Sequence, residues 1–475
     1  MRTSRPTNPL HLGAIATLLV VLGACTAASS RPSSASEASA APAPGAVQPT
    51  TRPAVTPAAP AARLPNALVL VGRAGSPGLE LVVVQTGESI MKLPAGAMDS
   101  TWSHLVTAKA DTTGTIVRDA AAENASSGPV LDIKGRWRLP TIGTDQVPVG
   151  VSVDGSTIAL VPADDTAASA TPATSRFAIV RHVSGGQPTR TRTAPLELSR
   201  VIELPGSFDF DALSPDGEIL YVVEHLDGAT GAYQVRAVDV ATGTLRDAVI
   251  ADKRNIGEAM AGWPVGQVRR TDGVVLTLYR GLEHPFVHAL NTIDAWAVCI
   301  DLPASPSAND AAAADWGLAA GPDGRSVYAI NATLGVAAEI DAGDLVVKRT
   351  ATLQTASADG TGSVASGGTP AIVLAKFGHD EVGAAGRVVV SPDGETLWAA
   401  GAQGIVAIAT RDLSVSRQML GGTAVDGIAV APDGSAIFAL LRNDGRVVAL
   451  DPATGQVLGD VPGAGFDRLL AAAPW

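Results

Sequence analysis

A tetrapeptide turn recurs along this chain between short apolar runs, and no other feature constrains the fold as much. It reads Ser214-Pro215-Asp216-Gly217, Gly321-Pro322-Asp323-Gly324, Ser391-Pro392-Asp393-Gly394 and Ala431-Pro432-Asp433-Gly434. Weaker copies are Ser152-Val153-Asp154-Gly155 and Arg270-Thr271-Asp272-Gly273. Proline presets φ at the second turn position, aspartate bonds its own backbone, and glycine accepts positive φ. Around the last copy, strand-like runs lie at Gly427 to Ala431 and at Ala436 to Leu441. A third run, Arg446 to Asp451, leads through Ala453-Thr454-Gly455 into a fourth, Gln456 to Val461. The unit is a four-stranded antiparallel meander of about 40 residues.

Repeated meanders of that length predict an all-β chain folded as a β-propeller of four-stranded antiparallel blades. Gly394 and Gly434 are 40 residues apart, and Gly114 and Gly155 are 41 apart. Third-strand runs fall near Leu81, Val130, Phe177, Val235, Ala297, Val336, Val406 and Val447, which predicts eight blades. Seven is the alternative, because the second unit, Trp102 to Pro140, is weakly patterned. Asn66 to Val71 has no apolar strand before it, and Phe466 to Ala471 resembles a first strand with no blade after it. The expectation is that the C-terminal strand completes the first blade and closes the ring, which removes open sheet edges.

The N-terminus reads as a targeting segment. Arg2 and Arg5 precede an eleven-residue apolar stretch, Leu12 to Leu22, too short to span a bilayer. It ends in Leu22-Gly23-Ala24-Cys25, which resembles the lipobox of bacterial lipoproteins. That resemblance implies cleavage after residue 24, a lipid on the Cys25 sulfur, and a membrane as partner through this anchor. Residues 25–64 are dominated by Ala, Pro, Ser and Thr, a composition that buries nothing and serves as a tether of roughly 35 Å root-mean-square span. The domain division is 1–24 signal, 25–64 lipidated cysteine and tether, and 65–475 propeller. The destination is the cell envelope, on the outer face of a bacterial membrane.

With Cys25 acylated, Cys299 is the one remaining cysteine, so no disulfide framework is available. Its alternating surroundings, Trp296 to Asp301, predict a buried thiol. The chain carries −12, and removing Arg2 and Arg5 with the signal takes it to −14. Such a surface disfavours phosphate backbones, which excludes nucleic acid as a partner.

Ser214 to Gly217, followed by Ile219-Leu220-Tyr221-Val222-Val223 and then by Val235 to Gly243, is similar to the repeats of the bacterial YVTN and lactonase-like propeller superfamily. The resemblance covers most of residues 65–475, but it rests on structural turns and strands. It implies the fold. The superfamily hosts both enzymes and binding proteins, so the resemblance implies no single activity.

In such a meander the S-P-D-G turns and the third-to-fourth turns share one face. The long segments, Pro162–Arg176, Ala251–Pro264, Gly281–Thr292, Pro303–Asp315 and Gln354–Gly383, fall mostly on the other, predicted to be the working face. His104, His225, His284, His288 and His379 map to that face or its rim, whereas His182 maps to the short-turn side. The candidate ligand-binding residues are His225, Glu283, His284, His288, His379 and Asp380. The densest segment, Tyr279 to Leu290, reads as an insertion between strands. Imidazoles and carboxylates converging from several loops can bind a divalent metal or transfer protons. No nucleophile-elbow, Walker or C-x-x-C motif is present and no catalytic set is complete, so no metal or cofactor is assigned. The leading expectation is a binding or scaffold module for an envelope protein, glycan or small ligand. A lactonase-like hydrolase or metal-dependent enzyme working through the long-loop face is the alternative.

Overall fold

The computed structural model describes residues 63–76, 78–99, 104–121, 127–142, 147–163, 174–184, 187–188, 193–227, 231–250, 260–270, 272–281, 284–303, 310–313, 315–353 and 385–474. Cys25, Glu283, His379 and Asp380 lie outside them. The described residues are all-β apart from one helical turn, Asp310–Ala313.

The strands pair antiparallel in units of four. Phe208–Leu213, Ile219–Asp227, Ala232–Asp239 and Thr244–Ile250 make the 208–250 sheet. Met260–Arg269, Val274–Gly281, Phe286–Asn291 and Trp296–Asp301 make the 260–301 sheet. Ala232 and Tyr233 pair with Ala261 and Met260, which joins these two units at one edge; the 97–134, 316–352 and 388–419 sheets repeat the four-strand pattern, and the 137–205 and 425–460 sheets carry a fifth strand each, Gln187–Pro188 and Ala385–Gly386. In the sheet of Ala67–Arg73, Leu79–Val83 and Ser89–Leu93, the fourth strand is Phe466–Pro474 from the other end of the chain. Its register runs from Ala67 opposite Pro474 to Arg73 opposite Phe466. Arg73 reinforces the seam, with its guanidinium 4.6 Å from the Phe466 ring centre and Nη1 donating to the Ala464 carbonyl at 2.7 Å.

Side chains leave a strand on alternate sides, and here both sides are buried. On Val274–Gly281, Val274, Leu276 and Leu278 pack toward the 316–352 sheet, while Val275 and Tyr279 pack toward the 208–250 sheet. This explains why the runs read as continuously apolar. Each apolar cluster joins two sheets consecutive in the chain. Leu70 and Leu93 meet Leu105; Val106 and Val117 meet Ile158 and Val180; Phe177 and Ile202 meet Phe210 and Val222. Tyr221 and Val235 meet Leu290; Leu276 and Val298 meet Trp316 and Ile340; Ile330 meets Leu397 and Val406; Trp398 and Ile405 meet Ile428 and Leu450. The sequence ends where it began, with Phe438 and Val447 against Val69 and Phe466. Sheets stacked face to face in cyclic order are the architecture of a β-propeller.

A buried ion-pair network adds to the apolar packing. Arg387 Nη1 lies 3.2 Å from Asp315 Oδ1, and Arg442 bridges Asp426 at 2.6 Å and Asp315 at 3.4 Å, so three consecutive sheets share one set of charges.

The repeated turn does more than reverse the chain. Ser214 Oγ donates to Asp216 Oδ1 at 2.7 Å, while the backbone N–H groups of Glu218 and Ile219 donate to Asp216 and Ser214 side chains. Turns of neighbouring sheets also touch. A Cβ on Gly394 would sit 3.0 Å from the Pro322 ring, and one on Gly273 would sit 3.4 Å from Pro215. The proline of one repeat therefore packs on the glycine of the next, so the tetrapeptide is a contact between sheets as well as a turn.

Two sheets depart from the sequence reading by one strand. Val130–Lys134 is the fourth strand of its sheet, because the first is only Ala97–Met98. Phe286–Asn291 is a third strand, where the sequence reading placed an insertion and put the third strand near Ala297.

Gly217 and Gly75 both have positive φ, 68° and 78°, but a Cβ on Gly217 would meet Thr157 Oγ1 at 2.2 Å whereas one on Gly75 meets nothing within 4 Å. Gly75→Ala is expected to cost about 1 kcal/mol from backbone strain alone. Gly217→Ala adds a collision of about 1–3 kcal/mol. Urea unfolding of the two variants measures the difference, and equal losses would show that the turns do not brace one another.

Candidate functional site

Two partly exposed histidines of the predicted working face, His225 and His284, each sit with a carboxylate. His225, on Ile219–Asp227, places Nε2 2.8 Å from Asp209 Oδ2. That hydrogen bond raises the imidazole pKa; burial opposes it, and the Asp209 charge adds to the rise. His284 Nδ1 lies 3.7 Å from Asp301 Oδ1, and both side chains are exposed. Trp263 is exposed with Arg280 over its ring, whereas Trp316 is buried. Among the described residues no group of three or more His, Cys, Asp or Glu side chains is placed to hold a metal ion.

His288 is not a loop residue. Gly281 ends one strand, the chain has returned by Phe286, and His288 pairs with Thr277 on one side and Cys299 on the other. Its ring is fully buried, edge-on to Tyr233 and Tyr279, and its Nδ1 is 3.8 Å from Cys299 Sγ. Cys299 is half-buried. Phe286 and Leu290 pack toward the 208–250 sheet and Val287 and Ala289 toward the 316–352 sheet, so this run is buried on both sides.

The structure instead assembles two histidines that the sequence reading had assigned to opposite faces. Asp119 is buried, with Oδ1 3.2 Å from His104 Nδ1 and Oδ2 3.0 Å from His182 Nε2. Each of the three continues an apolar stripe, two residues beyond Val106, Val117 and Val180 respectively, which pack together between the 97–134 and 137–205 sheets. The trio is the polar end of that interface. The two-residue strand Ala97–Met98 makes His104 the start of a second strand, which brings it to the same end of the sheets as His182.

His182 Nδ1 lies 2.9 Å from the Ala194 carbonyl, which can only accept. With a carboxyl oxygen at Nε2 as well, the ring faces acceptors at both nitrogens. His104, about one-quarter exposed, opens into a cleft of about 540 Å³. Asp119, Ala121, Ser127, Pro129, Val130, Thr193 and Pro195 also line it. The arrangement can present an oriented imidazole to a small molecule seated against apolar walls.

A second polar group is closed in between the 208–250 and 260–301 sheets. Gln267 donates to Thr277 Oγ1 at 3.0 Å and accepts from Arg269 Nε at 2.9 Å. Tyr233, Tyr279 and Phe286 stack at successive centroid distances of 5.0 and 5.2 Å. Burial pushes the Asp211 carboxyl up to about 7 against the charge of Arg269, and both tyrosine phenols go well above their usual value for the same reason.

No protein-family model and no curated protein sequence matches the chain. Its fold is similar to solved structures at low identity. The dihydro-heme d1 dehydrogenase NirN, in complex with DHE, is 13% identical with a TM-score of 0.48, covering 90% of this chain and 79% of that one. Apo AztD from Citrobacter koseri is 11% identical with a TM-score of 0.47, covering 86% and 99%. The periplasmic gluconolactonase PpgL of Pseudomonas aeruginosa is 18% identical with a TM-score of 0.39, covering 78% and 99%. At these scores the likenesses say nothing of a shared ligand or reaction.

Asp211 gives the fold a pH dependence of definite sign. Its folded pKa of about 7 exceeds the unfolded value of about 3.9, so the unfolded chain releases its proton first and stability falls as pH rises between the two. Asp211→Asn is expected to lose that slope, gaining stability relative to wild type as pH rises through this window. Urea midpoints of both proteins across it provide the check; parallel profiles would mean that Asp211 ionises as freely in the folded state as in the unfolded.

Proposed function

We propose that this chain is an exported bacterial lipoprotein, anchored to the outer face of a membrane through Cys25 and carrying a propeller that binds a small ligand. The cyclic order of the apolar clusters supports eight blades, with the YVTN and lactonase-like repeat pattern as the family resemblance. The observation that carries the binding role is the cleft beside His104, whose imidazole is held by a buried carboxylate between two rigid sheets. Residues 25–64 act as the tether that lets the propeller meet envelope components. Among the described residues no helix is long and apolar enough to cross a membrane. The acidic surface disfavours nucleic acid and other polyanions as partners.

A hydrolase is the second reading, and the Asp119–His104 pair favours it, since a carboxylate that orients an imidazole is the arrangement of a general base. Conversion of a bound compound, followed by chromatography, separates it from simple binding.

The anchor and the cleft are expected to fail independently. In a lipoprotein-processing bacterium, Cys25→Ser should release the protein from the membrane fraction while leaving its ligand response intact. A compound from a panel of small organic molecules should raise the melting temperature of wild type and Cys25→Ser by several degrees, but not that of His104→Ala, which removes the imidazole at the cleft. Membrane retention of Cys25→Ser would refute the anchor. A panel with no stabilising compound, or a shift that survives in His104→Ala, would refute the cleft.

A further inference from the structure

The polar group between the 208–250 and 260–301 sheets holds an acid and a base that do not meet. Asp211 is 3% exposed and sits where the strand register is irregular, between Phe210 and Ala212. Its Oδ2 and the Nη2 of Arg269 are sealed from solvent, and neither has a hydrogen-bond partner among the described residues. Gln267 touches both residues. Its Nε2 donates to the Asp211 backbone carbonyl at 3.4 Å and to Thr277 Oγ1 at 3.0 Å, and its Oε1 accepts from Arg269 Nε at 2.9 Å. The guanidinium carbon lies 6.0 Å from the ring centre of Phe210, the chain neighbour of Asp211. Arg269 Nη1 donates to the Val151 carbonyl at 3.4 Å, a long contact. Val151 pairs with Ile158 of the 137–205 sheet, so the arginine ties two sheets that have the 208–250 sheet between them.

This arrangement suits a protonated Asp211. A buried neutral acid leaves one hydrogen bond unmade, whereas an ionised one would be a buried charge with no partner, which costs far more. Arg269 can answer that charge through its unused Nη2, because an ion pair in a site closed to water outweighs a long bond to a neutral carbonyl. We propose that Asp211 and Arg269 form a proton-controlled latch: with the proton on Asp211, Arg269 holds the Val151 carbonyl, and without it Arg269 turns Nη2 onto Asp211 Oδ2 and lets that carbonyl go. The one covalent change is at the Asp211 O–H bond, whose proton passes to solvent while the guanidinium keeps its charge. The other titratable groups around this acid are Tyr233 and Tyr279 from the two sheets and Asp209 on its own strand, which is paired with His225. His288 lies edge-on to both tyrosines, with Cys299 beside it. Burial holds both phenols well above their usual range, so they stay neutral and leave Arg269 as the partner. The Asp211 carboxyl, pushed up to about 7 by burial, places the changeover near neutral pH.

Crystal structures of the full chain at about pH 5 and about pH 9, on either side of the changeover, test this directly. At the lower pH Arg269 is expected on the Val151 carbonyl. At the higher pH Nη2 should lie within about 3 Å of Asp211 Oδ2, and Nη1 more than about 4 Å from the Val151 carbonyl. Asp211→Asn keeps the shape of the neutral acid and should leave Arg269 on Val151 at both. In solution, nitrogen NMR of arginine-labelled protein follows the same guanidinium. The Arg269 resonances, assigned by their loss in Arg269→Lys, should shift between the two pH values in wild type and stay fixed in Asp211→Asn. An Asp211–Arg269 ion pair already formed at the lower pH would overturn the latch, since the proton would not control it. So would Arg269 still on Val151 at the higher pH, or an equal shift in Asp211→Asn, which would assign the movement to another group. The two wild-type structures decide the matter even if a variant does not fold.

Discussion

The pairing of Phe466–Pro474 with Ala67–Arg73 is the interaction on which the rest of the structure depends. Every sheet here is apolar on both sides, so a linear stack would leave one apolar face bare at each end. The C-terminal strand removes both faces at once, because it completes the first sheet and lets that sheet pack on the last. Phe466, Leu469 and Ala472 belong to the same cluster as Val69 on one side and Phe438 and Val447 on the other. An open edge would also present unpaired backbone groups to other chains.

Rigidity of the ring is what gives its polar groups their positions. Asp119 and His182 come from different sheets, and their 3.0 Å contact exists only because Val117 and Val180 pack in the same interface. The polar group around Asp211 is built by the same geometry between two other sheets, yet it is closed off from solvent. The two differ in surroundings: the Asp211 group is closed and makes stability depend on pH, while the other ends at a cleft lined by His104. Burial alone does not mark function; an open side does.

Much of the fold was legible in the sequence because its signals are local. Each S-P-D-G turn is specified by four residues, and the Ser214–Asp216 hydrogen bond within it needs nothing from elsewhere. Closure by the C-terminal strand followed from counting strands. What misled was length: Ala97–Met98 is a strand of two residues, too short to leave a pattern, and missing it put His104 at the opposite end of the sheets from His182. His288 was mistaken for a loop residue because Pro285 and the charged residues before it resemble an insertion, although the short run from Phe286 to Leu290 is a strand buried on both sides. The cleft was not legible at all. Residues 104, 119 and 182 are far apart in sequence and meet only through sheet packing, and the one local hint was a polar residue falling in phase with a buried apolar stripe.

The most direct test of this account is thermal and urea unfolding of the protein lacking residues 466–475. Loss of the Phe466 and Leu469 side chains alone removes burial of about 1.5–3 kcal/mol each, before the opened interface is counted. The account predicts aggregation, or a melting temperature lowered by many degrees with a broadened transition as the sheets lose their closure. A truncated protein that unfolds at the same temperature and with the same cooperativity as the intact chain would contradict it.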